Sequence, residues 1–257
     1  MSELEIEMFA CLSDNYGFLF HDRESGQTAT VDTPDATVIS EALARRGWRL
    51  THILNTHHHM DHAGGNITLK RDTACRIVGP RNDADRIPGI DDLVGEGDQI
   101  EFGSHRIEVF EVPGHTRGHL AYFLPDDGVA FVGDALFAMG CGRVFEGTAE
   151  QMWHSLQKIM RWPDDTRIYC AHEYTLANGR FAVSVEPSNQ ALLDRVVEVQ
   201  ALVAAGQPTV PTTVAQEKAT NPFLRPASKE LRETVGLQAD SDEVAVFAQT
   251  RALKDKF

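Results

Sequence analysis

Residues 52–62 read HILNTHHHMDH, and this stretch decides the reading of the chain. HILNT (52–56) is a short apolar run of strand character. Alternate residues of an extended segment point the same way, so His57 and His59 can face one metal ion while His58 turns away. Asp61 and His62 lie just beyond, where the chain turns toward a helix near Ala63-Gly64-Gly65, and they can reach a second point nearby. Imidazole and carboxylate suit Zn²⁺, Fe or Mn rather than Ca²⁺ or Cu(I). A capping Asp61 beside a surface histidine run is the bland alternative. Four histidines and an aspartate within six positions at a strand end weigh against it.

Three more strand ends carry similar groups. VPGHTRGH places His115 after HRIEVFEV, VGDALF places Asp134 after VAFVG, and YCAHEY places His172 after TRIYC. Each alone reads as an ordinary turn residue or helix start. With the first cluster they total five His and two Asp, enough for two metal ions sharing one carboxylate. His21, His52, His105 and His154 are read as structural or solvent residues, with His119 at most behind the ligands.

Around this constellation the first two thirds alternate strands with amphipathic helices. LEIEMFACL (4–12), YGFLFHD (16–22) and TATVDT (28–33) read as strands. Thr33-Pro34 reads as the cap and first position of a helix that Gly47 stops. DQIEF, HRIEVFEV, LAYFLP and VAFVGD are further strands, and Thr148…Gln151 is a capping box. After residue 172 the strand pattern ends, and 188–205, 228–235 and 241–256 have helical spacing. The expected division is therefore 1–172, an α/β domain that carries the candidate metal ligands, and 173–257, a smaller helical domain.

The 257 residues carry 24 Lys+Arg against 38 Asp+Glu, a net −14. Residues 1–172 hold 15 and 27 of these, and residues 173–257 hold 9 and 11. Such a balance speaks against nucleic acid and against anionic lipid. The acidic N-terminus MSELEIEM has no signal-peptide pattern, and no apolar run nears the ~20 residues of a membrane span. Cys11, Cys75, Cys141 and Cys170 form no CxxC pair, so free, mostly buried thiols in a reducing cytoplasm are expected. No obligate protein partner is evident.

THxHxDH with later His, Asp and His at strand ends resembles the metallo-β-lactamase superfamily. Asp14-Asn15-Tyr16, CGRVFEGT (141–148), AHEYT (171–175), EKATNPFLR (217–225) and RALKDKF (251–257) extend the resemblance, over almost the full length, to the glyoxalase II (hydroxyacylglutathione hydrolase) family. The resemblance implies an αββα sandwich followed by a small helical domain that binds glutathione. It implies His57, His59 and His115 on one metal and Asp61, His62 and His172 on the other, bridged by Asp134 and a water or hydroxide. The ions are expected to be Zn²⁺, with Fe or Mn as alternatives, and Asp61 and Asp134 stand at the reacting centre. The implied reaction is hydrolysis of S-D-lactoylglutathione, and of related 2-hydroxyacyl glutathione thioesters, to D-lactate and glutathione. It is the second step of methylglyoxal detoxification.

The family pattern places substrate contacts at Arg143, Phe145, Tyr174, Arg251 and Lys254. Arg251 and Lys254 share a helical face; the bland alternative is an Arg251–Asp255 surface pair worth only ~0.3–0.5 kcal/mol. Some members carry Lys and Tyr where this chain has Arg143 and Phe145. Arginine keeps the cation, whereas Phe145 removes a hydroxyl. Rival readings on the same fold are a one-iron persulfide dioxygenase, a flavo-di-iron reductase, a β-lactam or lactone hydrolase, and a non-catalytic metal-binding protein. The two-site ligand set, the lack of room for a flavin module, the RxxKD ending and the retained Asp134 argue against them in turn.

Overall fold

A computed structural model describes residues 3–257, which group by Cα proximity into two compact units. The first holds the chain up to Glu111 together with Arg117–Gly133; the second holds Val112–Thr116 and Asp134–Phe257.

The first unit opens with an antiparallel meander of β1 (Leu4–Cys11), β2 (Asn15–Asp22) and β3 (Gln27–Val31). Helix α1 (Ala36–Arg46) then leads to β4 (His52–Leu54), which pairs parallel with β3. Parallel neighbours need such a crossover. After α2 (Met60–Ala63) and α3 (Asn66–Thr73), β5 (Arg76–Pro80) and β6 (Asp92–Val94) continue in parallel, completing the order β1-β2-β3-β4-β5-β6. Strands β7 (Gln99–Phe102), β8 (His105–Glu111), β9 (Leu120–Leu124) and β10 (Val129–Gly133) pair antiparallel in sequence.

Helix α1 buries Ile39, Ala42 and Leu43 against Leu19, Ile53 and Ile77, and the Ile39 and Leu43 side chains contribute ~1.5–3 kcal/mol each. Its cap differs from expectation. Asp35, not Thr33, accepts from the N–H groups of Thr37 and Val38, and Pro34 precedes the helix. The Thr33 hydroxyl instead donates to Asn66 Oδ1 at 2.7 Å. Gly47 ends the helix in a left-handed conformation, as its position suggests.

The second unit contains a short hairpin, β11 (Leu136–Phe137) with β12 (Gly140–Cys141), then α4 (Ala149–Ile159) with the Thr148–Gln151 capping box formed. Next come β13 (Arg167–Cys170), α5 (Thr175–Val185) and α6 (Gln190–Ala204). β14 (Thr212–Thr213), α7 (Val214–Thr220), a 3-10 turn at Pro222–Leu224, α8 (Lys229–Thr234) and α9 (Glu243–Lys254) finish the chain. Strand character therefore does not end at residue 172: two residues of β14 pair with β13. Helices α5 and α7 are also absent from the sequence reading. Helix α5 has no side-chain N-cap bond and carries Gly179 in its middle. A Cβ at Gly179 would come within 3.0 Å of Met139 and Val196, so the residue serves helix packing against propensity. Leu192, Val199, Ala182 and Met139 form the core there.

Candidate metal centre

In the first unit the site grows from the end of β4. Asp32, just past β3, has φ +60, a conformation that Asp tolerates better than most residues. Its carboxylate accepts from the Thr56 N–H (2.7 Å), the Thr56 hydroxyl (2.7 Å) and His62 Nδ1 (2.8 Å). With Nδ1 committed to Asp32, His62 presents Nε2, which lies 3.4 Å from Asp61 Oδ2. His57 Nδ1 lies 3.0 Å from the Thr56 hydroxyl, and its Nε2 lies 3.0 Å from His59 Nδ1. His57 and His62 are buried; His59 and Asp61 are half-buried. His58 turns away as the alternation requires, meeting Arg86 Nη1 at 3.1 Å and Asp83 at 3.4 Å. His119 is buried and its ring stacks on His57 at 4.7 Å. Asn15 donates to Asp61 Oδ2 at 3.2 Å, tying the start of β2 to that carboxylate.

In the second unit Asp134 faces two imidazoles. His115 Nε2 is 3.4 Å from Oδ2 and His172 Nε2 is 3.4 Å from Oδ1. His115 Nδ1 donates to the Arg143 carbonyl at 2.9 Å, which directs Nε2 to the carboxylate. All three residues are buried. His115 and Asp134 line a cavity of about 450 Å³, together with Arg143, Tyr174, Arg251 and Lys254 among others.

The donor set fits divalent transition metals. Ligands 2.0–2.1 Å from zinc in a tetrahedron stand ~3.3 Å apart, close to these imidazole–imidazole and imidazole–carboxylate separations. His57, His62 and His115 each have Nδ1 anchored, by the Thr56 hydroxyl, Asp32 and the Arg143 carbonyl, the arrangement that fixes a ligand's tautomer.

The other expected contacts are varied in setting. Arg143 is exposed, with Nε 3.8 Å from Asp255. Phe145 is 61% exposed, its ring 5.2 Å from that of His115. The Tyr174 ring stacks on His172 at 4.7 Å, edge-on to Phe137. Arg251 is buried: it pairs with Asp255 at 2.9 Å, donates to the Cys141 carbonyl at 2.9 Å and covers the Phe223 ring. Lys254 Nζ sits over the rings of Phe181 and Phe257, and burial first, then Arg251, Arg180 and Arg143, lower its pKa. Burial pushes the thiols of Cys141 and Cys170 up to about 11 and about 12, so neither is a thiolate at neutral pH. Sequence reading overlooked Asp32. Its signal was an aspartate at a strand end, TATVDT, the same kind of address that identified Asp134.

A family model described as the metallo-beta-lactamase superfamily matches residues 30–172, and one described as hydroxyacylglutathione hydrolase C-terminus matches residues 173–257. The chain is 57% identical to the hydroxyacylglutathione hydrolase of Maricaulis maris (strain MCS10) over 257 residues, covering 100% of each. It is 52% identical to that of Rhizobium meliloti (strain 1021), again over 100% of each. Among solved structures, ETHE1 from Myxococcus xanthus superposes with a TM-score of 0.67 at 26% identity, over 97% of this chain and 99% of that one. The BLEG-1 B3 metallo-beta-lactamase gives 0.66 at 20% identity over 86% and 100%, a likeness of fold alone.

Proposed function

Since the chain belongs to the hydroxyacylglutathione hydrolases of the metallo-β-lactamase superfamily, we propose that its two clusters of His and Asp serve one thioester-hydrolysing centre. The protein is a thioester hydrolase with a metallo-β-lactamase domain and a helical C-terminal region. It hydrolyses S-lactoylglutathione in methylglyoxal detoxification.

Residues 1–172 act as the catalytic metal-binding domain and 173–257 as the glutathione-binding domain in this reading. His57, His59 and His115 hold one divalent ion; Asp61, His62 and His172 hold the other; Asp134 serves both. The observation that carries the assignment is the Asp134 carboxylate, whose two oxygens each face a different imidazole at 3.4 Å. Zinc is the proposed metal, with iron and manganese suited to the same donors. Ions so held supply Lewis acidity and lower the pKa of water toward about 7.

The chain's own residues do the rest. Asp32 and the Arg143 carbonyl keep His62 and His115 in the tautomer that presents Nε2. Asn15 holds Asp61 in place. Arg143, Arg251 and Lys254 give the cavity three cations for the two carboxylates of glutathione. Tyr174 and Phe145 give its wall aromatic faces. With Cys141 and Cys170 protonated, neither supplies a thiolate nucleophile. Four free, buried cysteines support a reducing cytoplasmic setting, and among the described residues no helix is long and apolar enough to cross a membrane.

Steady-state hydrolysis of S-D-lactoylglutathione, with metal content measured on the same sample, tests the reading. Two ions per chain and a kcat/KM well above that for non-glutathione thioesters are expected. A fully metallated sample without turnover would refute it.

A further inference from the structure

The hairpin that follows Asp134 is poorly supported by its own sequence. It has two residue pairs, Leu136↔Cys141 and Phe137↔Gly140, joined by Ala138-Met139. Two-residue hairpin turns favour Asn-Gly or Asp-Gly, because their central residues need positive φ. Here Met139 takes φ +55 with a full side chain. An isolated hairpin of this size does not hold itself together in water.

Side chains from the helices hold it instead, one backbone group after another. Asn221 Nδ2 donates to the carbonyls of Phe137 (3.2 Å) and Gly140 (2.9 Å). Asn178 Nδ2 donates to the Ala138 carbonyl at 3.1 Å. The Met139 N–H donates to Glu217 Oε2 at 2.9 Å, and Arg251 donates to the Cys141 carbonyl at 2.9 Å. Residues 137 to 141 are thus each gripped through the main chain. Glu217 and Asn221 are fully buried and bond to each other at 2.9 Å, and burial raises the Glu217 pKa.

The gripped segment bears directly on the metal half-site. It starts three residues after Asp134. At its far end, a Cβ on Gly142 would lie 2.0 Å from the Asp134 carbonyl oxygen and 3.1 Å from His115 Nδ1. The next residue, Arg143, supplies the carbonyl that orients His115.

We propose that Asn178, Glu217, Asn221 and Arg251 are positioning residues for the metal centre: by clamping the Phe137–Cys141 backbone they fix Asp134 and His115. The C-terminal helices thus govern metal retention as well as glutathione binding. The proposal rests on the reading that Asp134 and His115 are metal ligands.

The test compares Glu217→Leu, Glu217→Gln and Asn178→Ala with wild type. Chelator competition measures metal retention; kcat and KM are measured for S-D-lactoylglutathione. Glu186→Gln is the control, since it weakens the pair between buried Glu186 and half-buried Arg225 in the same unit without touching the hairpin. Glu217→Leu and Asn178→Ala should release metal at chelator concentrations about 10-fold lower, with kcat reduced. Glu217→Gln should restore retention, because its amide oxygen can still accept from Met139. Glu186→Gln should retain metal like wild type whatever its thermal stability. Wild-type retention in Asn178→Ala, with loss only in KM or melting temperature, overturns the proposal. Asn178→Ala decides alone if Glu217→Leu does not fold. A wild-type protein that binds no metal would instead overturn the reading of the centre.

Discussion

Asp32→Asn isolates a single charge. The left-handed backbone at Asp32 suits Asn equally well, so the substitution changes the carboxylate and little else. One oxygen of Asp32 accepts from the Thr56 N–H, and the other from the Thr56 hydroxyl and His62 Nδ1. An amide has one acceptor oxygen. Turned one way, its NH₂ opposes the Thr56 N–H; turned the other, it faces His62 Nδ1 and drives the ring proton to Nε2, the nitrogen needed for metal. The charge-assisted bond to His62 is worth about 1.5–3 kcal/mol, and each 1.36 kcal/mol is tenfold. Metal at the His62 position should therefore bind about 10- to 150-fold more weakly, in line with the loss usual for outer partners of ligating histidines. Leaving a buried donor unpaired also costs about 1–3 kcal/mol, at roughly 2–4 °C in Tm per kcal/mol for a chain of this size. Competition against a chromogenic chelator reads the affinity, and melting of the metal-free protein reads the stability. An unchanged chelator midpoint in a folded Asp32→Asn protein would refute the role given to Asp32.

Four further outcomes follow from the same geometry. Asn15→Ala should lower kcat several-fold while KM holds, since Asn15 touches Asp61 and does not line the cavity; a pure KM effect would contradict this. Lys254→Ala should chiefly raise KM for glutathione thioesters, whereas Arg251→Ala should raise KM and also lower Tm, because it strips the Cys141 carbonyl of its donor. If KM is unchanged in both, the glutathione site lies elsewhere. The lowered Lys254 pKa has a defined sign. Its charge is lost as pH rises through a value below 10.5, so KM should climb earlier than an ordinary lysine would allow, and Lys254→Arg should abolish that rise. For folding, the unfolded chain holds this proton more tightly, so the residue's contribution to stability increases with pH between the lowered value and 10.5. Finally, Phe145→Tyr should lower KM without altering kcat if the absent hydroxyl matters to glutathione binding; equal KM values would dismiss it.

Reading from sequence succeeded where the signal was local. The period of two over residues 57–59 places His58 away from its neighbours, and the structure turns it toward Arg86 and Asp83. The Gly47 stop and the Thr148–Gln151 box stand as read, being determined within a single turn of chain. Reading failed where distant groups set the outcome. Thr33 looks like a cap, yet its hydroxyl is drawn to Asn66, 33 positions on, leaving Asp35 to cap the helix. Helix α5 carries a mid-helix glycine that propensity counts against, and packing on Met139 and Val196 explains it.

By itself, then, the sequence determined which donor types the chain offers, at what spacing, and the family to which they point, because ligand chemistry and strand alternation are properties of neighbouring residues. Only the tertiary structure decided what aims them. Asp32 reaches His62 across 30 positions, the Arg143 carbonyl sets the tautomer of His115, and Arg251 spans 110 positions to the hairpin after Asp134. The physical reason is that an imidazole becomes a defined ligand only when its second nitrogen is held, and a two-pair hairpin persists only when its backbone groups find partners. In this protein the partners come from segments brought together by folding.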